Sequence, residues 1–425
     1  MASPRNPRTP SSGTSGRFPY FALITLAVAV FISVTIEMLP TGLLPEMSSD
    51  LGVTESQIGL TVSVFAFTVV VSSTPLSYLL RRVPRHALVV IVLCVLAGSA
   101  LLSAFSYTYA LLVISRILGG VAHGVFWSVV GAYTAYLVPK EHLGRAVSIT
   151  LGGGSLAFVF GVPLGTALGA AVGWRLSFGI LAGLALVGAA FVYRFIPRVD
   201  HLSAGIVVGT PTGSISILTE EEATSAVPRR DHSVTAVVFV CVITAITMIG
   251  QYTFYTFIAP YLIREVGLSE ANVGRALFAY GIAGAVSLVL VALWLGKRPR
   301  FGLMLSLIAV VVGVFVLAVV PSVLPLAITA FFVWGLAMGN LPPLLQTRML
   351  HAAPARIRDT ASAFYTTAFN VGIGGGALVG SLVLAGFGLT ALPRVFLGIL
   401  VLAIVLVIVS DALLRQRPQR RVIER

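Results

Sequence analysis

Charge is what this sequence has least of. Only 10% of its 425 residues are Asp, Glu, Lys or Arg, against about 25% in a water-soluble domain. That shortage excludes an ordinary globule with water on every side. Cysteine is nearly absent as well. Cys94 and Cys241 both fall inside apolar runs, which excludes a disulfide framework and reads as small packing residues. There is no H-E-x-x-H segment, no glycine-rich phosphate loop with its lysine and no pair of acids inside an apolar run. The membrane-enzyme class therefore has nothing to work with, and no metal or cofactor is expected. Short alternating apolar segments are missing too, so a β-barrel is excluded. No cleavable signal peptide is evident, because the first apolar stretch is too long for one.

What is present is hydrophobicity: 57% of the residues, gathered in runs of about 20 or more. In lipid every backbone polar group must be paired internally, and runs of this length do so as helices. The expected spans are Phe18–Leu44, Thr54–Leu80, Ala87–Phe105, Tyr107–Val138, Ala146–Val172, Leu176–Ile196, Val234–Ile263, Val273–Leu295, Phe301–Val320, Leu324–Leu350, Thr360–Phe387 and Leu392–Leu413. This is an all-α membrane protein of twelve transmembrane helices. The organisation expected is a tail at 1–17, a six-helix bundle at 18–196, a linker at 197–233, a second six-helix bundle at 234–414 and a basic tail at 415–425. The linker is polar and aperiodic, with an acidic run at Glu220–Glu222.

The net charge of +13 is a statement about topology rather than nucleic acid. With the N-terminus in the cytoplasm, 23 of the 28 Lys and Arg residues fall on the cytoplasmic side. Four, Arg175, Arg264, Arg275 and Arg394, fall on the outer side, and Arg116 lies inside a span. The positive-inside rule then places both termini in the cytoplasm. A bacterial inner membrane is the expected location.

The two halves repeat. A shift of 215 residues, without a gap, pairs Pro45 with Pro260, Gly52 with Gly267, Glu55 with Glu270 and Gly59 with Gly274. The same shift pairs Pro84 with Pro299, Arg85 with Arg300, Gly120 with Gly335, Gly124 with Gly339, Gly161 with Gly376 and Gly165 with Gly380. Two parallel six-helix bundles around an axis along the membrane normal are a transporter architecture, in which the halves rock about a central site.

A charge inside the bilayer is costly and by default marks a function. Glu37 is the one acid well inside a span, and its repeat partner is Tyr252. A carboxyl group there can take up a proton on one side and release it on the other. Arg116 also belongs to one half only, its partner being Phe331. It must pair or reach water, either with Glu37 or with backbone carbonyls. His123 follows two helical turns later on the same face and is a candidate to share the proton. For a solute, the candidates are Gln251, Tyr252, Tyr255, Trp334, Asn340 and Asn370 in the second half, with Trp127 closing the first-half side. They offer apolar walls with a few placed polar groups. Gly161, Pro163 and Gly165 in the fifth run allow close approach and bending. Arg81 and Arg82, in the loop after the second run, are the other candidate conformational residues.

Several of these segments resemble the major facilitator superfamily, in its bacterial drug:proton antiporter branch with sugar-efflux and chloramphenicol-exporter-like members. They are Glu37-Met38-Leu39-Pro40-Thr41-Gly42-Leu43-Leu44-Pro45, Arg116 through Gly124, Gly161-Val162-Pro163-Leu164-Gly165 with Gly173-Trp174-Arg175, Gly339-Asn340-Leu341-Pro342, and Asn370 with Gly372. The similarity covers nearly the whole chain outside the N-terminal tail and the linker. One departure stands out: Tyr78 occupies the place of the aspartate usual in the loop between spans two and three. The resemblance implies proton-driven export, with the proton gradient as energy source, and does not identify the cargo; a small sugar-like or amphipathic solute and a monomer are the expectations. A uniporter or importer with a structural Glu37 is the alternative.

Overall fold

The computed structural model describes residues 18–138, 142–196, 232–353 and 358–415. The N-terminal tail, all of the basic tail but Arg415 and nearly all of the expected linker lie outside the described residues. Among the described residues, twelve helices are long and apolar enough to cross a membrane. Among the described residues there is no strand. Large apolar side chains such as Val71, Ile91, Leu164, Val289 and Leu382 are exposed on the outside of the bundle, as a lipid-facing surface requires.

The expected spans are all there, with three differences that have physical causes. The first helix runs from Tyr20 to Leu51, seven residues beyond the expected end, and passes through Pro40 and Pro45. Each proline removes one N–H from the helical ladder. Tertiary packing rather than propensity carries the helix past them, and all of its residues from Ile32 to Leu44 are buried. The fifth span is not one regular helix. Leu143–Leu156 and Val162–Val172 are joined by a π-helical turn, Ala157–Gly161. The seventh expected run is two helices, His232–Tyr255 and Ile258–Arg264. Pro260 explains the break, since the carbonyl four residues before it, on Thr256, has no N–H to accept.

The repeat seen in the residues is also a repeat in geometry. Among the described residues, four glycines have positive φ: Gly52, Gly173, Gly267 and Gly388. They form two pairs, Gly52 with Gly267 and Gly173 with Gly388, each separated by the shift that relates the halves. Gly52 shows why glycine is needed there: it ends the first helix in the left-handed region, its N–H bonded back to the Ser48 carbonyl.

Glycine also sets the spacing of helices inside each half. A Cβ on Gly161 would lie 2.0 Å from Thr35 Oγ1, and one on Gly165 would lie 2.6 Å from Leu39 Cδ1. The fifth span thus lies close along the first. Gly376 and Gly380, their repeat partners, would meet Ile249 and Thr253 of the seventh span in the same way. Contact between the halves uses other glycines. Gly281 of the eighth span faces the Phe158 carbonyl and Val159 Cα, each 2.6 Å from an added Cβ, and Gly274 faces Pro163 and Ala167. Gly59 of the second span lies under Phe257 and Ser381.

The extensive packing between halves pairs the second span with the eleventh, and the π turn and outer part of the fifth with the eighth. It continues to the end opposite the termini. There Ser56 Oγ donates to the Ser381 carbonyl at 2.7 Å, and Arg264 pairs with Glu55. The terminus-side part of the fifth span, Leu143–Leu156, has no such packing on the eighth. Among the described residues the halves are joined toward the loop end and part along Leu143–Leu156, toward the end that carries the termini.

Candidate functional site

The site grows from a defect in the first helix. Pro40 has no N–H, so the Ile36 carbonyl loses its helical partner. Arg116, from the fourth helix Tyr109–Tyr136, fills the gap. Its Nη1 donates to the Ile36 carbonyl at 3.0 Å, and its Nη2 donates to the Glu37 carbonyl at 2.6 Å. The guanidinium carbon also sits 4.3 Å from the centre of the Phe65 ring, within cation–π range. Arg116 is 1% exposed. Of the two partners expected for Arg116, the hydrogen bonds go to backbone carbonyls, not to the Glu37 carboxylate.

The Glu37 side chain turns to His123 instead, its Oε2 lying 3.3 Å from Nε2. His123 is held from three sides. Ser33 Oγ lies 2.8 Å from Nδ1, Trp127 Nε1 donates to Nε2 at 2.5 Å, and the Phe65 ring packs edge to face at a centroid distance of 5.3 Å. Ser33 and Glu37 are one turn apart on the first helix, and His123 and Trp127 one turn apart on the fourth. Two i, i+4 pairs therefore face each other across one helix contact. An indole N–H only donates. The hydrogen-bond pattern accordingly assigns the lone pair of neutral His123 to Nε2 and its proton to Nδ1, donated to Ser33. With Nε2 as acceptor, the Glu37 contact is attractive only when the carboxyl carries a proton. Ser33, Glu37, Arg116 and His123 are all buried, and Trp127 alone is partly exposed. Trp127 lies one turn closer to the parted end than His123.

The candidates of the second half divide differently. Gln251 is fully engaged: its Nε2 donates to the Tyr280 hydroxyl and its Oε1 accepts from Trp334 Nε1, both at 2.9 Å. Trp334 stacks on Phe254 with centroids 5.1 Å apart, and Tyr255, Tyr280, Phe331 and Phe396 surround it. This is a filled core. In this structure Gln251, Tyr255 and Trp334, candidates for solute contact, pack on one another: the rings fill the space and the polar groups satisfy one another. Tyr252 is buried next to Tyr255 and lies within electrostatic reach of Glu37, so it approaches the first-half cluster from across the interface. Asn340 is buried, and its Oδ1 has no hydrogen-bond partner. Asn370 is half-buried and donates from Nδ2 to the Thr366 carbonyl at 3.0 Å. These two amides are not brought to the Gln251 cluster by any hydrogen bond.

Among the conformational candidates, Gly161 and Gly165 pack within the first half, whereas Pro163 lies at the contact between halves through its carbonyl. Arg82 is exposed at the end of a short 3-10 turn, Leu80–Arg82, and the Arg81 side chain lies outside the described residues. A cavity of about 690 Å³ opens at the loop end, with Glu46, Asp50, Trp174, Arg175 and Glu270 in its wall. It touches neither His123 nor the Gln251 cluster. There Asp50 accepts from Trp174 Nε1 at 2.9 Å and pairs with Arg175, while Glu46 accepts from the Trp174 backbone N–H at 2.8 Å. The Trp174–Arg175 turn thus ties the sixth span to the end of the first. Sequence reasoning did not find Ser33, Phe65 or Tyr280. Ser33 carried a signal, a lone serine one turn before the intramembrane acid. Phe65 and Tyr280 carried none.

Comparison with known proteins places this arrangement. Residues 26–230 and 240–424 match the family model of the Major Facilitator Superfamily. A probable sugar efflux transporter of Mannheimia succiniciproducens is 30% identical over 374 residues, covering 88% of this chain and 89% of the relative. One from Helicobacter pylori is 28% identical over 373 residues, covering 88% and 90%. In structure, the chain is similar to a bacterial homologue of the human lysosomal transporter spinster in an inward-facing, unoccupied conformation. That match has a TM-score of 0.76 at 14% identity over 95% of this chain and all of the other. A human organic anion transporter follows at 0.68 and 16%, over 92% of this chain and all of the other. At such identities these two show the fold alone. By the family match and the sugar-efflux relatives together, the chain belongs to the Major Facilitator Superfamily and is a multi-pass transporter of twelve spans.

Proposed function

We propose that this transporter exports a small sugar-like or amphipathic solute in exchange for protons, by alternating access, with Glu37 as the proton carrier. The observation that supports it best is the Glu37–His123 contact. It is a buried acid facing a buried base, at 3.3 Å, in one half only. An uncompensated carboxylate is costly in such a place, so Glu37 keeps its proton while the site is closed and gives it up once His123 or water can take it. The names of the relatives point to sugars as the cargo class. With both termini in the cytoplasm, as the Lys and Arg placement indicates, the parted end faces inward in a bacterial inner membrane. This is the state from which an exporter loads. Moving one charge across about 100 mV supplies about 2.3 kcal/mol, enough to hold a roughly 50-fold gradient.

The test is export from proteoliposomes loaded with radiolabelled pentoses under an imposed pH gradient. The proposal expects solute to move against its own gradient and to stop doing so when a protonophore collapses the pH difference. Downhill movement that ignores the protonophore would instead establish a uniporter with a structural Glu37.

A further inference from the structure

Trp127 sits one helical turn from His123 on the side of the parted end, and its indole N–H is bonded to Nε2. His123 Nε2 has one lone pair in the plane of the ring. Two groups are aimed at it: the Trp127 N–H at 2.5 Å and Glu37 Oε2 at 3.3 Å. Both cannot use it fully. While the indole holds Nε2, a protonated Glu37 has no base to receive its proton. We propose that Trp127 is the positioning residue that couples solute to proton: its indole N–H keeps His123 from accepting the Glu37 proton until solute in the cavity displaces the ring. This rests on the antiport reading of the same site.

The geometry supports each part. Trp127 is partly exposed, whereas the four polar groups behind it are buried, so it is the member of the cluster that a solute arriving from the parted end can touch. An aromatic face suits the apolar face of a sugar or an amphipathic solute. The rest of the cluster is fixed. Ser33 holds Nδ1, Phe65 covers the ring, and Arg116 is bound to the Ile36 and Glu37 carbonyls. The titratable or charged groups facing His123 and Glu37 are therefore each other and Arg116 from the first half, and Tyr252 from the second. When the indole swings away, the Glu37 O–H proton passes to Nε2. Glu37 becomes a carboxylate and His123 an imidazolium that still donates Nδ1–H to Ser33. The imidazolium then gives the Nε2 proton to cavity water and returns to the neutral ring. One proton leaves Glu37 and one reaches the cavity for each displacement of the indole.

Isothermal titration calorimetry of the purified full-length protein in two buffers of different ionisation enthalpy measures solute affinity and protons released separately. The probes are L-arabinose, D-xylose and chloramphenicol, and the one that binds is carried forward. In the parent, binding releases protons. In Trp127→Phe the ring remains but the N–H is gone, so Nε2 is open to Glu37 with or without solute. The expected result is binding that survives, with the protons released per bound solute lost, because Nε2 is already shared with Glu37 before solute arrives. Unchanged proton release per bound solute in Trp127→Phe would overturn the inference. Loss of binding with no change in proton exchange would overturn it too, and leave Trp127 as a solute contact only. A second measurement is independent of the variant's folding. Nitrogen-15 spectra of the histidine-labelled parent should show one unprotonated Nε2 signal, missing in His123→Asn, that moves on addition of the bound probe. A signal that stays still while calorimetry reports proton release would sink the role of Trp127. A parent that binds solute and releases no proton would sink the antiport reading itself.

Discussion

Removing the Arg116 guanidinium should unfasten the first helix, and the cost can be worked from its contacts. Arg116→Met deletes two hydrogen bonds to backbone carbonyls, at 3.0 and 2.6 Å, and the contact with the Phe65 face. The Ile36 carbonyl is then left unpaired in the bilayer core, because Pro40 has no N–H for it. Breaking a buried, hydrogen-bonded charge interaction of this kind costs about 3–5 kcal/mol. Unfolding entropy of about 2.1 cal/mol/K per residue, over the roughly 180 residues of the first half, gives about 0.4 kcal/mol per degree. The melting temperature in detergent should therefore fall by about 8–13 °C. Arg116→Lys should recover only part of this, since an ammonium group does not present the fork that reaches both carbonyls. The decisive comparison adds Pro40→Ala. An alanine N–H restores the helical partner of Ile36, so Arg116→Met should cost about 1–3 kcal/mol less in the Pro40→Ala background than in the parent. Differential scanning fluorimetry of the four proteins completes the cycle. A melting temperature for Arg116→Met within about 2 °C of the parent would refute the reasoning, as would additive effects of the two substitutions.

Other expectations follow from the contacts between helices. Gly161→Ala places a Cβ 2.0 Å from Thr35 Oγ1 and should destabilise the first half by about 1–3 kcal/mol, with recovery on adding Thr35→Ala, read by the same melting assay. Gly281→Ala presses on the Phe158 and Val159 backbone, so it should loosen the halves at the crossing of spans five and eight. A Ser56→Cys reporter in a background without Cys94 and Cys241 should then react faster with an impermeant maleimide from the loop end. The Glu55–Arg264 pair joins the halves at that end, but the Arg264 side chain is 52% exposed. Glu55→Gln should shift the same labelling only slightly, by the equivalent of about 0.2–1 kcal/mol, and the difference should vanish at about 1 M salt. A large, salt-insensitive change would mean that this pair is the main lock.

The bundle was legible in the sequence because lipid leaves few choices. Runs of apolar residues became spans, and the shift that pairs Gly52 with Gly267 also paired their backbone conformations. The chemistry of the first half was legible for the same reason. Glu37, Arg116 and His123 stand out against an apolar background, and all three meet. Which groups they use was hidden. Arg116 chooses carbonyls because of a proline in a neighbouring helix, which its local sequence does not record. Trp127 lies one helical turn from His123, a spacing that puts it within reach without saying that the indole N–H is used. The same limit explains the second half. Gln251, Tyr255 and Trp334 have the composition of a binding site, and composition does not distinguish a pocket from a filled core. The break at Thr256–Phe257 had a visible cause in Pro260, yet hydropathy averaged across it. The cavity at the loop end depends on how the two halves approach each other, which no single helix records.

The central claim is that Glu37 carries the proton that drives export. It is tested most directly in proteoliposomes containing a pH dye, to which pentoses are added, comparing the parent with Glu37→Gln. The account predicts that solute moves protons in the parent and not in Glu37→Gln, while labelled solute still exchanges across the Glu37→Gln membrane. Solute-driven proton movement that survives in Glu37→Gln would contradict it.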